Sequence, residues 1–567
     1  MSRAIARVAI AAAAAFASGC HDKPQEATVP SEGAQLPVPA PEGLLAEGTI
    51  VAADATWQRV QRGVGGPAGI LPSTLGGIVC AASGIDPGLA PEIDGASAAY
   101  VIVAGELAAP GWVVAMRLVD ARRARALVDG DTSRFDVRQV GDFQALAPKP
   151  RGAGGAAHPP HVVAAISRGW GWFVVAKSDD DLERLAPYAT RTMPARASGK
   201  EAIAVDVPGS ALAGPLRARI ASEWSDTKKT MLDSDRQMRA QHGGRPPDFG
   251  DPGAIVARLD GSIQQRLAIL SDLAGAHIGI DAGDDDLRMT FTARPASPDG
   301  VASQAIAGAH SGDVSRLRAV TRDAGFAFLT RDGADTRAKD ASDLEAAVDA
   351  ALGPRLSAAD SKRLHGAIDD WTAARGDAWT AALAWNGAER GLIVDAQAGD
   401  PARGARAVRE AMDAVAQSAA LREPLTTWLG ATDVTFGVAD VPGGGRASTA
   451  TVARGAPNAT APKYVVAWKP GASDVQIAVS EAPLGLLSPS LPGRTLGDDP
   501  AMRALLDTLG DVAGALVLQP SRSPACAGAP GGVALGWGRR DSNGAAAMWG
   551  EAVASDVALR CFAKSAF

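Results

Sequence analysis

Two periods alternate along this chain. Short runs with every second residue apolar predict strands, and longer runs with apolar positions three and four apart predict helices. "AAYVIVAGEL" (98–107) and "GWVVAMRLV" (111–119) are separated by a few Ala, Pro and Gly residues, which predicts an antiparallel hairpin. "DARRARALVDG" follows as a short helix. "HVVAAISRGWGWFVVAKS" (161–178) folds back at Arg168-Gly169 as a second hairpin, with "DDDLERLAPYA" as the helix after it. The order is strand, strand, helix, repeated. Parallel neighbours would need a long crossover between adjacent strands, so the expected fold class is α+β, with antiparallel sheets and packed helices.

Helix starts share one device. Asp251-Pro252, Asp400-Pro401 and Asp499-Pro500 each place an N-cap carboxylate before a proline, whose missing N–H costs nothing in the first turn. A long helix is expected from about Pro215 towards Gln241, with Leu216, Ile220, Trp224, Met231 and Met238 on one stripe. A second follows from Pro252, carrying Val256, Leu259, Ile263, Leu267 and Leu270. The breaker-rich "HGGRPPDFGDPG" between them predicts a helical hairpin near 211–274.

Segments of the two halves read alike. "GWVVAMRLVDARRARALV" parallels "RGLIVDAQAGDPARGARAV", and "HVVAAISRGWGWFVVAKSDDDLERL" parallels "KYVVAWKPGASDVQIAVSEAPLGLL". "EAIAVDVPGSALAG" echoes "GALVLQPSRSPACAG" after each. Two related α+β halves are therefore expected, 47–312 and 313–567. The layout resembles large uncharacterised bacterial envelope proteins built from repeated strand–strand–helix units, a resemblance that implies no activity. At 567 residues the chain has ample length to bury real cores. Its formal charge is −7, with no run of four Lys or Arg. A nucleic-acid groove needs concentrated positive charge, so nucleic acid is not an expected partner.

The N-terminus supplies an address. Arg3 and Arg7 precede an apolar run from Val8 to Ala17, the charged and apolar parts of a secretory signal. Ten residues of helix span about 15 Å, half of a hydrocarbon layer roughly 30 Å thick, so the run does not cross a membrane. Ala17, Ser18 and Gly19 then lead into Cys20. This resembles the lipobox of bacterial lipoproteins, although Ala17 stands where an aliphatic residue such as Leu is usual. The resemblance implies a signal peptide over 1–19, cleavage between Gly19 and Cys20, and acylation of Cys20. His21 replaces the Asp that marks inner-membrane retention, which implies an outer-membrane anchor facing the periplasm or the cell exterior. Residues 20–46, with five prolines, are expected as an extended tether carrying that anchor.

Candidate chemistry is sparse. No G-x-S-x-G elbow occurs. Ser225-Asp-Thr-Lys228 matches S-x-x-K but sits inside the long predicted helix, without a K-T-G or S-D-N partner. His158 and His161 in "AHPPH" have no third ligand nearby, and no H-E-x-x-H occurs, so neither metal nor cofactor is expected. "KSDDDLERL" and "AGDDDLRM" fit a helix N-terminus and a hairpin turn. Cys526 and Cys561 flank the last strand pair and could bridge in an oxidising compartment, while Cys80 in "GGIVCAASG" reads as a small residue of an apolar strand. Trp170 and Trp172, two apart, would share one sheet face. An open face would make them an aromatic patch for a sugar or apolar peptide; a closed one would make them core.

The leading expectation is a lipoprotein without catalytic residues, acting in binding or assembly, with the membrane and an envelope protein or polymer as partners. The alternative is an envelope hydrolase whose acidic residues meet only in the fold. Two close carboxylates of perturbed pKa in a cleft would favour the hydrolase, and apolar-rimmed sheet faces would favour binding.

Overall fold

A computed structural model describes residues 36–566 except 65–69, 86, 131–134, 149–161, 170, 197–198, 242–251, 284–285, 353–354, 387–388, 423–430, 443, 455–463, 488–494, 520–525, 527–530 and 543–544. The signal pattern, Gly19, Cys20, His158, His161 and Trp170 lie outside the described residues. The fold is α+β with antiparallel sheets, and the chain forms two compact units.

The first unit comprises residues up to 219 with 273–296 and 554–567. Its strands are β1 (Leu44–Ile50), β2 (Ala99–Ala104), β3 (Gly111–Arg117), β4 (Phe135–Val140), β5 (Phe143–Pro148), β6 (Val163–Ser167), β7 (Trp172–Ala176), β8 (Ile203–Pro208), β9 (Leu273–Ala282) and β10 (Asp286–Pro295). They pair antiparallel in the order β4-β5-β6-β7-β3-β2-β1-β8-β9-β10. β1 starts inside the segment expected as tether, because Leu44 and Ala46 already pair with Ala104 and Val103. Between β1 and β2 lie α1 (Ala53–Val64) and α2 (Leu75–Ser83); α3 (Ala121–Gly130) follows β3, and α4 (Asp179–Pro187) follows β7.

Both faces of this sheet are covered. Ile50, Met116, Phe173 and Val175 pack against α1, α2 and α3, while Ile102, Val113, Trp172 and Val174 pack with Leu182 and Leu185 of α4. Cys80 corrects the sequence reading: it lies in a helix. Thr74 accepts the Gly77 N–H at the N-cap of α2, and Gly84 closes the other end at φ 70°. Those caps override the apolar run.

The second unit comprises 220–272 and 297–553. Its strands are β11 (Ala324–Arg331), β12 (Arg375–Asn386), β13 (Glu389–Ala398), β14 (Ala431–Asp440), β15 (Arg446–Arg454), β16 (Tyr464–Pro470), β17 (Asp474–Ser480), β18 (Gly514–Leu518), β19 (Val533–Ser542) and β20 (Ala545–Ser555). Their order is β14-β15-β16-β17-β13-β12-β11-β18-β19-β20. Adding ten to each strand number of the first sheet gives this second order.

Further helices of five residues or more among the described residues include α5 (Arg217–Gln241), α6 (Pro252–Ser271), α7 (Val301–Ala307), α8 (Ser315–Ala319), α9 (Ala334–Leu352), α10 (Ala358–Ala374), α11 (Pro401–Gln417), α12 (Pro500–Leu509) and α13 (Asp556–Ala566). Asp400 and Asp499 cap α11 and α12, accepting the Arg403 N–H and the Ala501 and Met502 N–H groups. The sequence pattern places the helical hairpin in a first half running to 312. The compact units divide differently, because α6 packs on α7 and α9, with Arg258 3.0 Å from Asp343. No helix among the described residues is long and apolar enough to cross a membrane.

One face of the second sheet is closed by α8 and α12, whose Leu317, Met502, Leu506 and Leu509 pack on Ala327, Leu329, Ala382 and Val517. On the opposite face α11 covers β14, β16 and β17. There the Arg409 guanidinium lies 3.9 Å over the Phe436 ring, and a Cβ on Gly404 would stand 2.9 Å from Val475.

Candidate functional site

The residues singled out from sequence scatter. Trp172 is 6% exposed, its ring tilted against Tyr100 at 5.9 Å with the Arg117 guanidinium over it, so it takes the closed-face alternative. Ser225 is exposed on α5, and Lys228 donates to Asp260 of α6 at 3.1 Å, beside the Trp224 indole N–H at 2.6 Å. That amine is committed to holding two helices together. Ser178 caps α4 and puts three aspartates in its first turn, as charge at a helix start favours. Cys526 and Cys561 are both disulfide-bonded.

Two further arrangements form only in the fold. The first is a carboxyl pair. Asp395 on β13 pairs in register with Gln476, and Gln397 with Asp474 on β17, so Asp395 and Asp474 are diagonal neighbours on one face. Burial, reinforced by the Asp474 charge, pushes Asp395 up to about 6, against the pull of Arg316 on α8. The Arg316 guanidinium lies 3.0 Å from Asp395, and Gln476 Nε2 is 3.4 Å from Asp474. Lys469 on β16 is the other charge here. Its ammonium donates to the Leu487 carbonyl at 2.6 Å, and burial lowers its pKa while Asp474 opposes that shift. The sequence carried one sign of this pair: Asp395 interrupts the apolar run "GLIVDAQA".

The second is an open apolar band. Register places Leu518, Phe326, Leu383, Leu392, Val479 and Val466 side by side across β18, β11, β12, β13, β17 and β16. Leu383 is 42% and Leu392 39% exposed, and the others are half-buried. This is the sheet face opposite Ala327 and Leu329, because side chains alternate along a strand. Beside it, the Phe328 ring meets Trp379 edge-on at 5.8 Å and lies tilted against Trp537 at 5.9 Å. Helices α9 and α10 leave the sheet at this end. Their base is fixed by Arg375 to Asp332 at 2.7 Å, the Trp379 indole to Asp332 at 3.3 Å, and Arg337 to the Asp332 carbonyl at 2.7 Å. Ala341 is the one buried side chain among the described residues of α9.

No protein family matches the chain, and neither a curated protein nor a solved structure shows significant similarity to it.

Proposed function

We propose that the chain is an outer-membrane-anchored lipoprotein whose body acts by binding, in assembly or maintenance of the cell envelope, rather than by catalysis. The Cys20 pattern supports the anchor. The observation that carries the binding reading is the open band around Leu383 and Leu392, since contiguous exposed apolar surface marks interaction sites. The common strand order of the units supports reading them as two related halves. A net charge of −7 argues against nucleic acid, leaving an envelope protein or polymer as partner, with the membrane reached through lipid.

The carboxyl pair favours a second reading, an envelope hydrolase. Its geometry argues for a structural role. The two carboxyls are diagonal neighbours on one sheet face beneath α8. Arg316 and Gln476 already occupy them.

The test is a cross-linked pull-down of the tagged, lipidated protein from native membranes, with Cys20→Ala as control. A stoichiometric partner lost with the anchor supports the proposal. No partner above background overturns it and directs attention to hydrolysis of envelope polymers, with Asp395→Asn as the first variant.

A further inference from the structure

At one edge of the first sheet, β4 pairs with β5 and with no other strand among the described residues. Asp136, Val137, Arg138 and Gln139 are all exposed, Val137 by 47%. Gly141, at φ 54°, and Asp142 make a two-residue turn into β5, so Val140 and Phe143 form a hydrogen-bonded pair. Bonding alternates from there along an antiparallel ladder. The N–H and C=O groups of Asp136 and Arg138 therefore turn inward to β5, and those of Phe135, Val137 and Gln139 turn outward off the edge. Such a row is a template for another strand, and charge is the usual protection. Here the charge is of both signs, since Asp136 and Arg138 stand two apart on one face of the strand. β14, the corresponding edge of the second unit, holds Asp433 and Asp440 and no basic residue.

We propose that two copies of this chain pair edge to edge through β4, antiparallel, about a two-fold axis at Val137. A two-fold contact must be self-complementary, and this edge is. Val137 opposes its own counterpart and Phe135 opposes Gln139, so the outward N–H and C=O groups of all three extend the ladder. Between them Asp136 opposes Arg138, once on each side of the axis. These are the non-hydrogen-bonded positions, where opposed side chains lie closest and opposite charges attract. Arg138 donates one N–H to Asp179 of α4 at 2.7 Å, and its guanidinium, 53% exposed, keeps further donors for a second carboxylate. A slip of two residues towards the turn sets Asp136 against Asp142 and leaves Arg138 opposite Val140, so charge selects the register. The contact uses the first unit alone and depends neither on lipidation of Cys20 nor on the band at Leu383 and Leu392.

Sedimentation velocity of the full-length protein in density-matched nonionic detergent, from about 1 to about 100 μM, tests the pairing. A reversible dimer is expected within that range. Asp136→Arg alone and Arg138→Asp alone each set like charges opposite one another on both sides of the axis, and each weakens the dimer about tenfold or more. An equal mixture of the two variants recovers the wild-type association, because each supplies the charge the other needs. Val137→Pro removes an outward N–H, spares the ladder to β5 and gives monomer. Unchanged melting temperatures establish that these surface variants fold. A Val137→Cys variant keeps the charges and gives a second measurement. Opposed Cα atoms about 5.5 Å apart allow a disulfide between the two introduced thiols under mild oxidation, located by peptide mapping. Monomer throughout the range, a dimer that either single charge variant leaves unchanged, a mixture no better than its components, or absence of the Val137→Cys cross-link each overturns the proposal. A dimer lost in Leu383→Ser/Leu392→Ser and kept in Val137→Pro overturns it in favour of pairing through the apolar band.

Discussion

The two units share one strand order and cover one sheet face to different extents. In the first, the two helices between the first and second strands close that face. Trp57 of α1 is 1% exposed and donates its indole N–H to the Pro72 carbonyl at 2.8 Å. Gln58 and Gln61 reach the carbonyls of residues 71–73, and Asp54 accepts the Leu75 N–H at 2.7 Å, tying α1 to α2. In the second unit the corresponding helices, α9 and α10, carry mostly charged and small side chains and are anchored at their base through Asp332 and Arg375. The strands there supply the bulk instead, through Phe326, Phe328, Leu383 and Leu392. A common sheet order therefore leaves the use of a face undecided; the apolar content of the covering helices decides it.

The largest expected effect lies on the closed face. Trp57→Ala removes a buried indole and its hydrogen bond, and costs about 3–5 kcal/mol in a urea titration. A loss below about 1 kcal/mol would show that α1 does not close that face.

The next lies in the carboxyl pair beneath α8. Asp395 is raised above its unfolded value of about 4, so burial favours its neutral form. The stability this group contributes is complete below about pH 4 and is lost as pH rises through about 6. Two pKa units correspond to roughly 2–3 kcal/mol. Asp395→Asn keeps a hydrogen-bonding group beside Asp474 without the charge. It should equal the wild type near pH 4 and exceed its stability at pH 8, with the lost Arg316 pair reducing the gain. Parallel pH profiles for the two proteins would remove the assignment.

A smaller effect tests a feature visible in the sequence. Asp499→Ala deletes the acceptor for two N–H groups at the start of α12 and costs about 1 kcal/mol by denaturant titration. An unchanged midpoint would mean that Pro500 alone sets the helix start.

These cases show what could be read from sequence. The β2–β3 and β6–β7 hairpins were legible because their pairing is local and the turns carry breakers. The Asp400 and Asp499 caps were legible because a cap is made within four residues. Long-range neighbours were not: β7 lies beside β3, and β1 between β2 and β8, and no local period encodes that. Alternation also fails where a sheet is covered on both sides. All five residues of β7 are buried, so the spacing of Trp170 and Trp172 could not separate patch from core. Asp395 and Asp474 belong to different hairpins, and only the charge inside an apolar strand hinted at a partner.

The smallest expected effect on stability is the sharpest test of the comparison. Leu383 and Leu392 face each other in register on neighbouring strands, both over a third exposed. Replacing both with Ser removes apolar surface that water already touches, so stability should change by no more than about 0.5 kcal/mol. If the band is an interaction surface, the same double substitution should abolish recovery of the partner captured by the wild type, while Trp172→Phe in the buried core of the first unit leaves it intact. A large loss of stability would instead place the two leucines in a load-carrying core, and the open face would be a closed one with loose packing. An unchanged partner at unchanged stability would move binding to another surface, with the exposed Met231, Met238 and Leu259 of α5 and α6 the next to substitute.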